Sequence, residues 1–270
     1  MRRFKRRSAR MNLLHFRVLT NRFFRQIFTN AGLLLPLLLQ APVMLLILAI
    51  VSRGDAFSAR DVTQANVVCF MVIVMSALMG ILNSYREICK EREILSREVF
   101  GGLDVSAYAL SKFFVLSVFG VLQSAILFFG SMAFIDYAFP HPASAIVLCF
   151  AATALTNISV TALGLLVSAI LKKSESAILP VLVIIIMQVV FSDCLIELGS
   201  GAEVFKFITP AAWGIAVFGN VSGINGWSEW FSKPMYDYSP LVSLLALAAI
   251  ALVCMLLTIA RLKHVYRQKD

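Results

Sequence analysis

The sequence predicts an all-α membrane protein: six transmembrane helices, an N-terminal interfacial helix, a re-entrant helical outer loop, and both termini in the cytoplasm. Three observations carry that expectation. The first is composition, with 60% of the 270 residues hydrophobic and only 14% charged, against about 45–50% and about 25% in soluble domains. One globular core cannot hide so much apolar surface, so lipid has to be the solvent. The second is the set of long apolar runs, and the third is where the charges fall between them.

A span needs roughly 20 mostly apolar residues. Residues 32–51, 66–84, 113–135, 144–171 and 241–259 qualify, and 177–192 is shorter but free of charge. The run 207–221 carries Pro210, Gly214 and Gly219 and is too short to cross. It is expected to dip into the outer leaflet and return. Six spans put 20 of the 24 Lys and Arg on one side and leave Arg53, Arg60, Lys206 and Lys233 opposite. The positive-inside rule then places both ends in the cytoplasm. Seven spans would export the basic tail. The net charge of +9 therefore reads as membrane orientation, and no nucleic-acid partner is expected. The first apolar run is too long and too far from the start for a cleavable signal, and no small-residue cleavage site follows Val51.

Taken in order, residues 1–30 read as a cytoplasmic basic arm and interfacial connecting helix, and 31–270 as the six-span domain. Each base of the arm gains on the order of 1 kcal/mol against anionic lipid. From 11 to 30 the apolar Leu13, Leu14, Phe16, Phe23, Phe24, Ile27 and Phe28 alternate with Arg17, Arg22 and Arg25, the pattern of a helix lying in the interface plane. The first span holds Pro36 and Pro42, which kink a helix, and Gln40, which calls for a partner on another helix. The fourth span is rich in small residues from Ala151 to Ala169 and belongs inside the bundle, where small faces allow close approach. The last outer loop, 193–240, holds Trp213, Trp227 and Trp230, a residue type that settles at headgroup level.

Chemistry of its own is not written in the chain. It has no phosphate loop, its three histidines lie outside the spans, and its five cysteines lack metal-ligand spacing. No carboxylate sits at mid-span for a proton relay. No catalytic residue, metal or cofactor is expected here, and the energy source has to be another polypeptide. The segment 84–112 is where such a partner could act. Glu87, Glu91 and Glu98 alternate with Arg86, Lys90 and Arg97 at helical spacing, with Glu91 and Glu93 expected to pair locally with Arg97. Gly101 and Gly102 break that helix, and Ser106 to Ser111 restart one. By themselves these residues fit a lever worked by a partner and a solvated loop equally well.

The string EREILSREVFGGLDVSAYALSK, residues 91–112, resembles the coupling-helix segment of the G-subfamily (White/pleiotropic-drug type) ABC transporter permeases. LLLQAPVMLLIL (37–48), VLQSAIL (121–127), QVVFS (188–192) and TPAAWGIAVFG (209–219) match in the same order, so the likeness runs from about Met11 to the end. It implies an exporter of two six-span halves in a bacterial cell membrane, each half seated on an ABC ATP-binding subunit that carries ATP and Mg. The second half would be another copy of this permease or a homologous one, with membrane lipid around both. It implies that Glu91, Glu93, Arg97 and Glu98 belong to the transmission interface. It further implies a substrate pathway between second and fifth spans, for which Ser76, Met79 and Asn83, and Ile186, Gln188 and Val189, are the candidates. Cys194 and Leu195 fall where relatives carry an apolar outer gate, but Asp193 makes the local string FSDCLIEL more polar. Relatives usually carry the ATPase on the same chain, whereas this sequence starts directly with the basic arm. The lining suggests a hydrophobic or amphipathic cargo: a drug-like compound, lipid or peptide. The rivals are an ATPase-independent carrier and a non-transporting immunity or scaffold protein.

Overall fold

A computed structural model describes residues 12–171, 175–194, 201 and 203–266. Among these every regular element is helical, and five helices are long and apolar enough to cross a membrane. Helix α1, Leu13–Thr29, starts where Asn12 Oδ1 accepts the Leu14 and His15 amides at 3.0 and 3.4 Å, satisfying donors that a first turn leaves free. Its apolar residues face two ways: Leu13, Leu14 and Phe28 are 62–72% exposed, and others turn to the bundle. Leu19 and Phe23 are buried, and Phe16, Phe23 and Phe24 meet Phe114, Tyr108 and Phe119 with ring centroids 5.8–6.2 Å apart.

Helix α2, Ala31–Val51, contains Pro36 and Pro42 and buries only Ala41 and Leu48, so most of its surface is left for lipid. Gln40 finds its partner on another helix, 3.3 Å from Gln123 Nε2. Helix α3, Val62–Ser84, is capped by Asp61 and is largely buried. After a short turn helix, Cys89–Glu91, comes α4, Arg92–Phe100. Helix α5, Val105–Ser131, differs from the expected span 113–135 at both ends. Asp104 Oδ1 accepts the Ser106 amide at 2.9 Å and starts the helix early, and Lys112 is neutralised inside it rather than marking its edge. Residues 132–135 turn away instead of extending it.

Helix α6, Pro142–Ile170, touches α3 and α5 and, further on, α8, Pro210–Ser222, and α9, Pro240–Val265. The small residues make this close approach possible. Asn157 Nδ2 donates to Ser76 O at 3.0 Å, and a Cβ at Gly80 or Gly120 would lie 2.5 Å from Asn157 O or 2.2 Å from its Oδ1. Helix α7, Ile178–Val190, has 13 residues, about 20 Å at 1.5 Å per residue against a hydrocarbon core of about 30 Å. It is shorter than the expected fifth span and is the sixth, abbreviated apolar helix. Helix α8 is also 13 residues, and its first ten residues are all buried, among α3, α6 and α9. That is the condition for a helix that ends within the membrane's depth.

Candidate functional site

The end of the bundle where α3 hands over to α5 concentrates the charge. Glu87 and Glu91 stand four residues apart, so their side chains share one side of the turn. Lys112 enters between them from α5, its Nζ 2.9 Å from Glu87 Oε2 and 2.8 Å from Glu91 Oε1. Tyr108 donates to Glu91 Oε2 at 2.9 Å, and Lys90 forms a second ion pair with Glu87. The Lys112 side chain is only 4% exposed, and its ammonium lies 4.1 Å from the centre of the Phe23 ring. A lone ammonium this buried would cost several kcal/mol; two carboxylates and a ring face offset that. Burial pushes the Glu87 carboxyl up, yet Lys112 and Lys90 outweigh it and hold it below the usual carboxylate value.

Around this knot the backbone is tied on four sides. The Ile88 and Cys89 amides donate to Ser168 Oγ of α6 at 2.9 and 3.0 Å. Arg92 donates to Leu171 O at 2.6 Å, and Tyr266, beyond α9, donates to Arg92 O at 3.3 Å. Helix α1 supplies the fourth tie. Arg22 grips Glu98 through its two terminal nitrogens, Nη1 to Oε1 at 2.5 Å and Nη2 to Oε2 at 3.2 Å. The Asn12 amide donates to Asp104 Oδ2 at 2.9 Å, and the Asp104 amide donates to His15 Nδ1 at 3.2 Å. The bidentate bond to Glu98 also raises the Arg22 guanidinium above its usual value despite partial burial. Gly101 and Gly102 close α4, with Gly102 at φ +106° where only glycine is comfortable.

The result is a short helix with a fixed underside and a free outer face. Leu95 and Val99 are buried, whereas Ile94 is 56% and Phe100 74% exposed. Glu93 and Arg97 are exposed beside them and have no ion-pair partner among the described residues. This corrects the expected local pairing. Glu91 does not meet Arg97, because it precedes α4 and turns inward to Lys112; Glu93 and Arg97 point away from the bundle. Of the four residues, Glu91 and Glu98 thus face inward as anchors, and Glu93 and Arg97 face out.

The other candidates are placed as follows. Ser76 and Met79 are fully buried, with Ser76 Oγ donating to Thr153 O at 2.8 Å and 3.2 Å from Ser124 Oγ. Ser76 faces α5 and α6, and Met79 lies in the buried apolar core, neither on an open path. Asn83 donates to Gln123 Oε1 at 2.8 Å and lines a cleft beside α1. Ile186 is exposed and Val189 half-buried. Gln188 points the opposite way, its Oε1 accepting the Ala211 amide at 3.1 Å, where it satisfies a free donor at the start of α8.

Cys194 is buried, its thiol 3.2 Å from Asn66 O, and its carbonyl accepts from Asn66 Nδ2 at 3.1 Å and Lys233 Nζ at 3.3 Å. Burial pushes that thiol up to about 12. Leu195 lies outside the described residues. Next to Cys194 in the chain, Asp193 pairs with Lys206 at 3.2 Å, and Lys206 also pairs with Glu203 at 3.3 Å. Burial pulls its ammonium down, but the two carboxylates outweigh it and the net shift is upward. Sequence reasoning missed Lys112, Tyr108 and Arg22 as site residues and had Glu87 only among the charges of the run 84–112. A lysine adjoining the run FFVLSVFGVL, with two glutamates four apart upstream, was the available signal.

Helices long enough to span a bilayer, with a braced, partly apolar element at one end, define a multi-pass membrane domain. The comparisons say which kind. The family model described as ABC-2 type transporter matches residues 14–221, and the chain belongs to that family. It is 34% identical over 152 residues to an ABC transporter ATP-binding/permease protein of Mycobacterium tuberculosis, an alignment covering 53% of this chain and 17% of that protein. The chain is thus the membrane-spanning part of an ABC transporter, multi-pass in a bacterial cell membrane, and it spans less than a fifth of that relative.

Proposed function

We propose that the chain is the permease half of an ATP-driven exporter, working as a homodimer or beside a similar permease. ATP and Mg are bound by a separate ABC ATP-binding subunit, and none by this chain. Closure of the soluble subunits presses on the 84–112 elbow, narrows an inward-facing cavity and opens the far side, by alternating access. The carrying observation is the two-sided build of α4 and the turn before it: Glu91 and Glu98 fixed below, Glu93, Ile94, Arg97 and Phe100 free above. A solvated loop has no use for an underside tied to α1, α5 and α6. The positive-inside count supports a cytoplasmic elbow and termini, and the burial of α8 supports a re-entrant outer loop.

Ile186 and Val189 are candidates for the pathway together with Asn83, while the burial of Ser76, Met79 and Gln188 favours structural roles for them. The exposed Leu182, Val183 and Ile186 of α7 suit contact with a second permease. Cys194 and Leu195 stand as the outer-gate position, and hydrophobic or amphipathic molecules as the cargo class. The test is ATP hydrolysis in proteoliposomes holding the permease and its ATP-binding subunit. R97E is expected to abolish cargo-stimulated hydrolysis while insertion stays normal. Transport by the permease without any ATP-binding subunit would replace this reading by a carrier, and normal stimulation in R97E would remove α4 from the coupling route.

A further inference from the structure

A cleft between α1, the start of α2, the end of α3 and α5 opens beside the elbow, with Asn83, Glu87 and Lys112 in its lining. It holds about 480 Å³ of empty space, its open mouth included. Val115 and Leu116 floor it, Ile27, Leu33 and Leu37 wall it, and Gln26 and Lys90 are exposed at its rim. The trough is apolar along its length, and its polar end sets two lysines, Lys90 and Lys112, against one lining carboxylate, Glu87, so it matches an acyl chain joined to an anion.

The charge arrangement favours the anion over a neutral head. Lys90 pairs with Glu87, but Glu87 is independently held by Lys112 at 2.9 Å. Lys90 can therefore turn to an incoming phosphate without leaving a carboxylate unpaired. Arg25 and Arg86, next to Gln26 and Glu87 in the chain, have no ion-pair partner among the described residues and add positive potential. The apolar walls favour a lipid over a soluble anion. On α2, which supplies Leu33 and Leu37, the neighbouring Leu35, Leu38 and Leu39 are 46–58% exposed, as residues bathed in hydrocarbon are. The cleft thus adjoins the acyl layer at its polar edge.

We infer that this cleft binds one anionic glycerophospholipid, its phosphate diester on Lys90 and Gln26 and an acyl chain along Leu33 and Leu37. The site does not depend on the direction of transport or on ATP. The test is native mass spectrometry of the purified full chain, with any subunits that accompany it, titrated with phosphatidylglycerol or phosphatidylcholine in detergent. Phosphatidylglycerol is expected to bind more tightly. K90E should cut that preference by at least about fivefold, since losing one juxtamembrane base is worth on the order of 1 kcal/mol and the new carboxylate adds repulsion. K263E, an equal charge change on exposed Lys263 of α9, should leave it intact. L33W, which fills the trough without touching charge, should lower occupancy by both lipids. Equal losses in K90E and K263E, unchanged occupancy in L33W, or full competition by soluble glycerol phosphate would each overturn the inference.

Discussion

Replacing Lys112 with methionine removes the charge at the centre of the elbow while keeping a side chain of similar length. The ammonium is 2.9 Å from Glu87 and 2.8 Å from Glu91 with 4% of its side chain exposed. Breaking a buried pair by deleting one partner costs about 3–5 kcal/mol, mostly through the charge left behind. Here Lys90 still neutralises Glu87 and Tyr108 still donates to Glu91, so about 3 kcal/mol, the low end of that range, is expected. At 1.36 kcal/mol per decade this is on the order of a 100-fold increase in local opening. Hydrogen exchange reads it directly at amides closing α4, such as Gly101 to Arg97 O and Leu103 to Glu98 O. Those amides should exchange about 100-fold faster in K112M, while amides in the middle of α6 stay unchanged. The triple variant E87Q/E91Q/K112M should recover most of the protection, because removing all members of a buried pair is often close to neutral. Unchanged exchange in K112M would refute the reasoning.

Three further outcomes are expected. G120A places a Cβ where Asn157 Oδ1 stands 2.2 Å away and should cost about 1–3 kcal/mol of stability by overpacking; G226A, which meets nothing within 4 Å, should not, as thermal unfolding in detergent will report. The carboxylate of Glu87 has a folded value below its ordinary 4.5. Its contribution is therefore present above that ordinary value and lost as pH falls through the lowered one. The thermal midpoint should be insensitive to this group at neutral pH and decline only in acid, and E87Q should blunt the decline. Finally, all five native cysteines are buried, so an introduced thiol dominates labelling. A cysteine at Ser228 should react with an impermeant reagent in intact cells, and one at Arg97 only after the membrane is opened.

Much of the fold was legible because lipid enforces simple rules. Length and hydropathy located α2, α3, α6 and α9, and helix breakers in a short apolar run located α8. The small residues of α6 signalled its interior position, and the charge run 84–112 marked the elbow. What stayed hidden depends on contacts distant in sequence. Helical spacing can suggest Glu93 with Arg97, four apart, but not Glu91 with Lys112, 21 residues on, nor the grip of Arg22 on Glu98 across 76 residues. Ser76 was a pathway candidate, yet a place in a span does not say what the side chain meets. It meets α5 and α6. The same holds for Gln188, whose amide serves the start of α8 rather than a cavity.

The central claim is that the free face of α4 is where the ATP-binding subunit seats. A photo-crosslinking amino acid placed at Ile94 or Phe100, the two most exposed apolar positions of that helix, tests it most directly in membranes of the native host. The account predicts an adduct with a nucleotide-binding protein from both positions and none from Leu245, exposed at 70% on α9. Absence of that adduct from both α4 positions, with the permease intact and inserted, would contradict it.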